Sequence, residues 1–447
     1  QNVDLNAQVG PMTAWTQTVQ VPVNDGALTL DFSASANQAK ISAIEVEGEV
    51  DLSGPGEVAV QNLDGVPFND RLAFSRIGSL SNPPSANGVK DEGTVRVQNT
   101  GSGLLEITDL TIDGPFELIA PPTSYPIEVL PGSATDIGVR FIAESGGTDN
   151  GVHTGGLTIT TTDADTPTLD VELAGFWQSV SEGGQEPNFS EIAEVFGYGT
   201  DILNPGEQLN NEGRIERVGD EVLSPYWMRL DDGQPVTVRQ LAAYHSCCNN
   251  TATVYWHSKG SNSTSGIATH NGSWAQTLLP PQQGSTTAPA AGSFSPNGAF
   301  GFKVDPEWSD PTKNNTSPDD CSAGPDTCGH HVRFWPAEDR AGNTIPGTFL
   351  MTMDYSGINY DFNDNVYLVT NVQPEENTTP TVAQPIDDVA VETGAAPVDV
   401  SLVGVFQDLE TSAGDLNLSV QANTNPGLVT PTLTGSTLNL AFAAGQT

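Results

Sequence analysis

Apolar and polar residues alternate in short runs along the whole chain, and each run is cut off by a cluster of Gly, Pro, Asn or Asp. Val19-Gln20-Val21-Pro22-Val23 and Leu28-Thr29-Leu30-Asp31-Phe32, for example, flank Asn24-Asp25-Gly26, a strong hairpin signal. A period of two puts successive side chains on opposite faces of a strand, so such a chain buries one face of each strand and folds as packed sheets. The 46 Gly and 32 Pro supply the turns. One departure stands out: Ile192, Val195 and Phe196 have helical spacing, with Ser190 as the expected N-cap. The predicted fold class is all-β, tandem β-sandwich domains with very little helix.

At 447 residues the chain is too long for one ordinary core, and about three domains are expected. Lys and Arg number 15 against 56 Asp and Glu, a formal charge of −41. That field repels nucleic acid and anionic lipid and favours divalent cations. The recurring apolar runs argue against disorder, and none reaches the ~18 residues needed to cross a bilayer. Cys247, Cys248, Cys321 and Cys328 lie in one turn-rich region, and their even number points to disulfides and an oxidising compartment. The expectation is a secreted, extracellular chain without nucleic-acid partners or membrane insertion.

Four segments follow. In residues 1–48, "DGALTLDF" and then "ISAIEV" resemble the C-terminal strands of a malectin-like sandwich; the ligand-bearing front of such a domain is missing, so no sugar-contacting residue carries over. In residues 56–177, "VQNTGSGLLEI", Pro131-Gly132, "VRF" and "GGLTITTTDAD…LAG" fall in the order of Hydin-type immunoglobulin-like modules of bacterial surface proteins. That resemblance implies about seven strands without an inter-sheet Cys pair. Residues 178–374 carry long polar loops, and their ending, "FLMTMDYSGINYDFNDNVYLVTNVQP", is similar to a secreted bacterial β-sandwich module found beside sugar-binding and adhesion domains. In that module the D-x-N-D element is associated with calcium. Residues 375–447 contain "IDDVAV", "VDVS", "FQD", "DLNLSV" and "LTGSTLNL" in the order of a bacterial cadherin-like module and stop before its last strand. Both ends thus fall inside a module, and the 447 residues read as a window on a larger modular chain.

The stretch "NYDFNDNVYLV", residues 359–369, joins a strand-like end to Asp361, Asn363, Asp364 and Asn365, residue types that strands exclude. Extended, Asp361, Asn363 and Asn365 share one face with Asp364 opposite. Looped, their oxygens converge on one hard cation, with Asp354 and Asn359 as further donors. Calcium takes six to eight such oxygens at about 2.3–2.6 Å. The competing reading is a cluster of Asx turns capping a hairpin. The Gly and closing Glu of an EF-hand are missing. Asp387, Asp388, Asp408, Glu410 and Asp415 fall where cadherin-like modules place calcium at seams, against the alternative of solvated acidic loops.

Cys321 and Cys328 bracket a six-residue loop that a disulfide closes easily, leaving Cys247 and Cys248 as a vicinal pair; cross-pairing is the competitor. His245, His257, His270, His330 and His331 share this region without metal-ligand spacing, although a zinc or copper site from His245, His257 and one of the adjacent pair is conceivable. Trp308 and Trp274 are the candidates for stacking on a sugar ring, against the commoner role of filling a core. No nucleophile elbow, phosphate loop or H-E-x-x-H motif is present.

The expected function is a non-enzymatic segment of a large extracellular protein, calcium-stabilised, adhering to a glycan or surface protein. The alternatives are the accessory region of a secreted polysaccharide-degrading enzyme, or a filament subunit completed by strands from its neighbours.

Overall fold

The computed structural model describes residues 52–79, 88–144, 150–182, 184–202, 213–245, 250–319, 328–355, 359–375, 380–408, 411, 414 and 416–444, with isolated positions between 10 and 45. The chain divides into two units, residues 1–50 and 51–447. In the first, the hairpin at 19–32 and the run from Ile41 to Val46 lie outside the described residues, save for exposed positions such as Val19 and Val21.

Among its described residues the second unit is all-β except for one helix and two short 3-10 turns. Its first sandwich has nine strands among the described residues. β1 (Val58–Asn62), β3 (Glu92–Asn99), β7 (Ala134–Phe141) and β5 (Phe116–Leu118) form one sheet in that order. β2 (Arg71–Ile77), β9 (Thr168–Gln178), β8 (Gly151–Thr161), β4 (Leu105–Ile112) and β6 (Ile127–Val129) form the other. β2 runs parallel to β9 and the rest pair antiparallel, so the first two strands serve opposite sheets, an immunoglobulin-like arrangement. The sequence alternation does the work expected of it: Val95 and Val97 on β3 and Val139 and Phe141 on β7 point inward, and Phe74, Phe116 and Phe141 meet with ring centroids 5.1–6.3 Å apart. Asn99 fixes the turn after β3, its Nδ2 donating to the carbonyls of Gly103 and Val129 and its Oδ1 accepting from the N–H of Gly101.

The second sandwich follows a short helix, α1 (Phe189–Phe196). One sheet holds β13 (Ser265–Thr269), β12 (Thr253–Ser258), β16 (Phe300–Val304), β10 (Trp227–Arg229) and β21 (Val372–Pro374), with β17 (Glu307–Trp308) added to β16. The other holds β14 (Gln276–Leu278), β11 (Val236–Tyr244), β20 (Asn365–Thr370), β19 (Thr344–Met353) and β18 (Val332–Glu338), with β15 (Ala291–Phe294) on β11. Trp227, Phe300, Phe302, Phe334, Met351 and Tyr367 fill the space between them. The last segment has a two-stranded pairing of β22 (Thr381–Val382) with β24 (Phe406–Gln407), and a sheet of β23 (Val398–Ser401), β26 (Thr437–Phe442) and β25 (Val429–Thr434) in that order.

The helix begins two residues earlier than Ser190 implies. Asn188 is the N-cap: its Oδ1 accepts from Glu191 N–H at 3.0 Å, and Glu191 Oε2 accepts from Asn188 N–H at 3.0 Å. This reciprocal box needs Glu or Gln three residues after the cap, which Asn188 has and Ser190, followed by Ala193, does not. Gly197, at φ 75°, ends the helix in the left-handed conformation that glycine adopts without a Cβ clash.

The two sandwiches share a core. Phe189, Ile192, Val195 and Phe196 of α1 pack between Ala73, Ala174 and Phe176 of the first sandwich and Leu241, Tyr244, Trp335 and Leu350 of the second. Arg71 on β2 crosses the joint, its Nε donating to Val195 O at 2.9 Å and its Nη2 to Glu194 O at 2.8 Å. A cation at the negative end of a helix satisfies carbonyls that have no partner within it. Ser75 and Thr277 share a hydroxyl hydrogen bond of 2.8 Å across the same joint.

Candidate functional site

The stretch that strand propensity rejects is the loop of the β19–β20 hairpin. Met353 pairs with Asn365, so residues 354–364 form the connection and the strand begins only at Asn365. The segment is not extended: Tyr360 at φ 57° and Phe362 at φ 53° are left-handed, with Asp361 between them. Holding aromatic residues there costs about 1–2 kcal/mol each. Both side chains are buried in the core shared by the sandwiches, which offsets that strain.

Several hydrogen bonds lock the loop. Phe362 N–H donates to Asp354 Oδ2 at 3.3 Å and Tyr355 N–H to Asp364 Oδ2. Asn359 Nδ2 donates to Asp361 Oδ2 at 2.7 Å, Asn363 Nδ2 to Pro187 O at 2.6 Å, and Gln240 Nε2 to Asn365 Oδ1 at 2.8 Å. Asp361 Oδ1 is buried with no hydrogen-bond partner. None of these bonds joins an Asp or Asn side chain to the backbone two residues on, as an Asx turn does, and Asp361 Oδ1 takes part in none of them.

The charges that act on the buried carboxylates Asp364 and Glu186 are all negative. Burial pushes Asp364 well above the usual carboxylate range, and the charges of Asp354, Asp361 and Glu186 push it further. Burial raises Asp361 to about 6. Glu186 is raised to about 7 by burial and by the charges of Asp361 and Glu182, opposed by a hydrogen bond from Gln276. These carboxylates act on one another, yet among the described residues no three His, Cys, Asp or Glu side chains are already drawn together as a set that could hold a metal ion. The donors are all hard oxygens, the kind that calcium prefers. Glu186 was not singled out from sequence, since nothing in "GGQEPNFS" connects it to a loop more than 170 residues away.

The histidines divide among separate networks. His330 Nε2 lies 2.6 Å from Glu221 Oε1, and Arg333 Nε donates to the same oxygen at 2.7 Å. Burial pushes Glu221 up, but Arg333 and His330 outweigh it and hold the carboxyl at about 2. The Arg333 guanidinium also lies 5.0 Å from the Phe362 ring and 5.3 Å from Trp335. His331 bridges two carboxylates, with Nδ1 2.7 Å from Glu307 Oε2 and Nε2 2.9 Å from Asp319 Oδ1. Burial lowers its pKa, and the two carboxylates more than reverse that. Tyr360 O–H donates to the same Asp319 oxygen at 2.9 Å.

His245 and His270 meet through Nε2 atoms 2.8 Å apart. Asn271 O sits 3.0 Å from His270 Nδ1, and Ala252 N–H donates to His270 Nε2 at 3.0 Å. The protonated nitrogen of His270 is then Nδ1, and its Nε2 lone pair already accepts from the backbone. Burial and the neighbouring ring lower His245 to about 3, so the pair is neutral. His257 packs edge-on to Trp308, 4.9 Å between centroids. The zinc or copper grouping of His245, His257 and one of the adjacent pair is corrected here: these residues belong to separate hydrogen-bond networks, with His245 on the chain just after β11 and His257 on β12 of the opposite sheet.

Trp308 is half-buried, with Lys313 Nζ 4.5 Å and Lys303 Nζ 5.5 Å from its ring centre. Trp274 packs on the backbone at Gly88, so tightly that any Cβ there would collide with the indole. Cys328 is disulfide-bonded and buried; Cys247, Cys248 and Cys321, and hence the pairing scheme, lie outside the described residues. In the last segment Asp387 and Asp388 are exposed, and buried Asp408 accepts from Thr411 N–H at 2.8 Å. Arg217 of the second sandwich donates to Thr411 O at 3.1 Å, so a cationic side chain reaches this seam. Glu410 and Asp415 lie outside the described residues.

No known family model matches the chain, and no curated protein does. Among solved structures, similarity extends to a protein of unknown function from Porphyromonas gingivalis (12% identity, 27% of this chain and 46% of that one, TM-score 0.19). A PapD-like (ASH) domain of a human protein is similar over 32% of this chain and 100% of its own (12% identity, TM-score 0.19). The secreted serine protease VesC from Vibrio cholerae is similar over 64% of this chain and 47% of its own (7% identity, TM-score 0.18). The chain thus spans less than half the length of the first and third. Likenesses this weak carry no argument about function.

Proposed function

We propose that the chain is an extracellular, non-enzymatic segment of a modular surface or matrix protein. Its task is to hold attached parts at a fixed spacing and to adhere to a glycan or surface protein, the partner class of the modules that its sequence resembles. The observation that supports this most is the core common to the two sandwiches. Modules joined by linkers move relative to one another by default, whereas a joint filled by an apolar helix and crossed by Arg71 resists hinge motion. The buried ionic networks serve the same end, because Glu221, Arg333, Asp319 and His331 tie loops to strands. The oxidised Cys328 and the acidic surface suit a secreted chain.

Calcium is the proposed structural ion at the 354–364 loop, supported by the negative charges acting on the buried carboxylates and by the orphaned Asp361 oxygen. Asp354, Asp361 and Asp364 would hold it, and its charge would relieve their repulsion. Thermal unfolding of the full chain in calcium and then in chelator tests both parts. One cooperative transition spanning both sandwiches, shifted upward by calcium, is expected. Two separate transitions would remove the rigid joint, and superimposable melts would remove calcium.

A further inference from the structure

The acidic loop is stitched to the segment that joins the two sandwiches. The N–H of Phe189, first residue of α1, donates to Asp361 O at 3.1 Å, and Asn363 Nδ2 donates to Pro187 O at 2.6 Å. Tyr360 and Phe362, on either side of Asp361, sit in the core that also holds Ala73, Ala174 and Phe176 of the first sandwich. The loop therefore cannot change conformation without disturbing the joint.

Glu186 lies just before this seam. Gln276 Nε2 donates to its carboxylate, and Gln276 Oε1 accepts from Gln178 Nε2 at 3.3 Å, at the end of the last strand of the first sandwich. The charge of Asp361 reaches Glu186 and helps to raise it, and among the described residues no Lys or Arg is bonded to either. Asp361 itself is only 8% exposed, and its Oδ1 has no partner. A buried acceptor left unmatched costs roughly 1–3 kcal/mol, and more when charged, so the orphan is informative.

We propose that a divalent cation, calcium by the chemistry of the donors, binds between the 354–364 loop and the joining segment, with Asp361 and Glu186 as its bridging ligands, and so stiffens the joint between the sandwiches. Every available donor is a carboxylate, amide or carbonyl oxygen, which suits calcium and disfavours softer metals. Binding draws the carboxylates inward, because the ion replaces their repulsion by attraction. The ligand from one segment and the ligand from the other then make loop and joint a single mechanical element. By linkage, whatever opens the joint weakens the ion, and whatever removes the ion loosens the joint.

The inference rests on the calcium reading above and adds to it Glu186 and the joint, and one experiment separates the two. Calcium is titrated calorimetrically into the chelator-treated full chain, for the wild type, Glu186→Gln, Asp361→Asn and the exposed control Asp232→Asn. Amide exchange of residues 186–196 is followed in the wild type with and without calcium. Gln at 186 keeps the acceptor for Gln276, so the fold is retained while a charge is lost. Expected are calcium binding by the wild type and the control, at least about tenfold weaker binding by the two site variants, and slower exchange of 186–196 when calcium is present. If Glu186→Gln binds like the wild type, or calcium leaves the exchange of 186–196 unchanged, the joint inference falls and the calcium reading stands. If the wild type binds no calcium, both fall.

Discussion

Glu186 and Asp361 titrate in the folded chain near 7 and 6, above the 4.5 and 3.8 of free side chains. Over that interval the folded state holds protons that the unfolded state has released. Their contribution to stability is therefore complete below about pH 4 and is lost as the pH rises through 6 to 7. In chelator, the urea midpoint should fall between pH 5 and 8 by the equivalent of a few kcal/mol, and Asp361→Asn with Glu186→Gln should flatten the slope. A midpoint that rises over this range contradicts the assignment. Glu221 has the opposite sign: held at about 2 by Arg333 and His330, it stabilises above its ordinary pKa and loses that effect as the pH falls toward 2. Removing Arg333, as Arg333→Met, takes the strongest cationic partner from the buried Glu221, leaving it His330 and the Val218 N–H, and should cost about 3 kcal/mol in equilibrium unfolding. The double variant with Glu221→Leu should recover most of that loss.

At the scale of elements, the sequence signals were strongest where the physics is local. Asn99-Thr100-Gly101 and Pro131-Gly132 are turns, and the alternating runs flanking them are strands. The helix α1 is legible from its spacing, but its cap is Asn188 and not Ser190, because only Asn188 has a Glu three residues on to close the box. Replacing Asn188 by Ala should destabilise by about 1 kcal/mol, read as a shifted unfolding midpoint, with Ser190→Ala costing less. Gly197→Ala should cost more than a helix-propensity argument implies, because a Cβ there would sit 2.8 Å from Arg71 Nε as well as in left-handed backbone. Residue types mark 359–365 as unfit for a strand but leave open whether the stretch is extended or looped; the strand pairing decides for a loop. Its left-handed aromatics are not legible, since φ at Tyr360 and Phe362 is set by where their rings are buried.

For the whole molecule, the decisive feature is that one core serves two sandwiches. Phe176→Ala opens a hole in that shared core and should cost about 3–5 kcal/mol. If the joint is rigid, near-ultraviolet signals from Trp177 in the first sandwich and Trp335 in the second should melt together in that variant, at a lower temperature. Loss of the first signal alone would mean that the sandwiches unfold independently.

The sequence by itself determined the all-β class, the tandem sandwiches and the unusual standing of residues 359–365, because period-two alternation, turn chemistry and strand-averse side chains act over a few neighbouring positions. It also singled out Asp354, Asp361 and Asp364. Only the tertiary structure decided that His330 and His331 enter different ionic networks, that the charge of Asp361 reaches Glu186, and that α1 packs into a core shared by two sandwiches. Those outcomes depend on pairings separated by tens to hundreds of residues, and the burial that raises or lowers each pKa exists only after the sheets have packed.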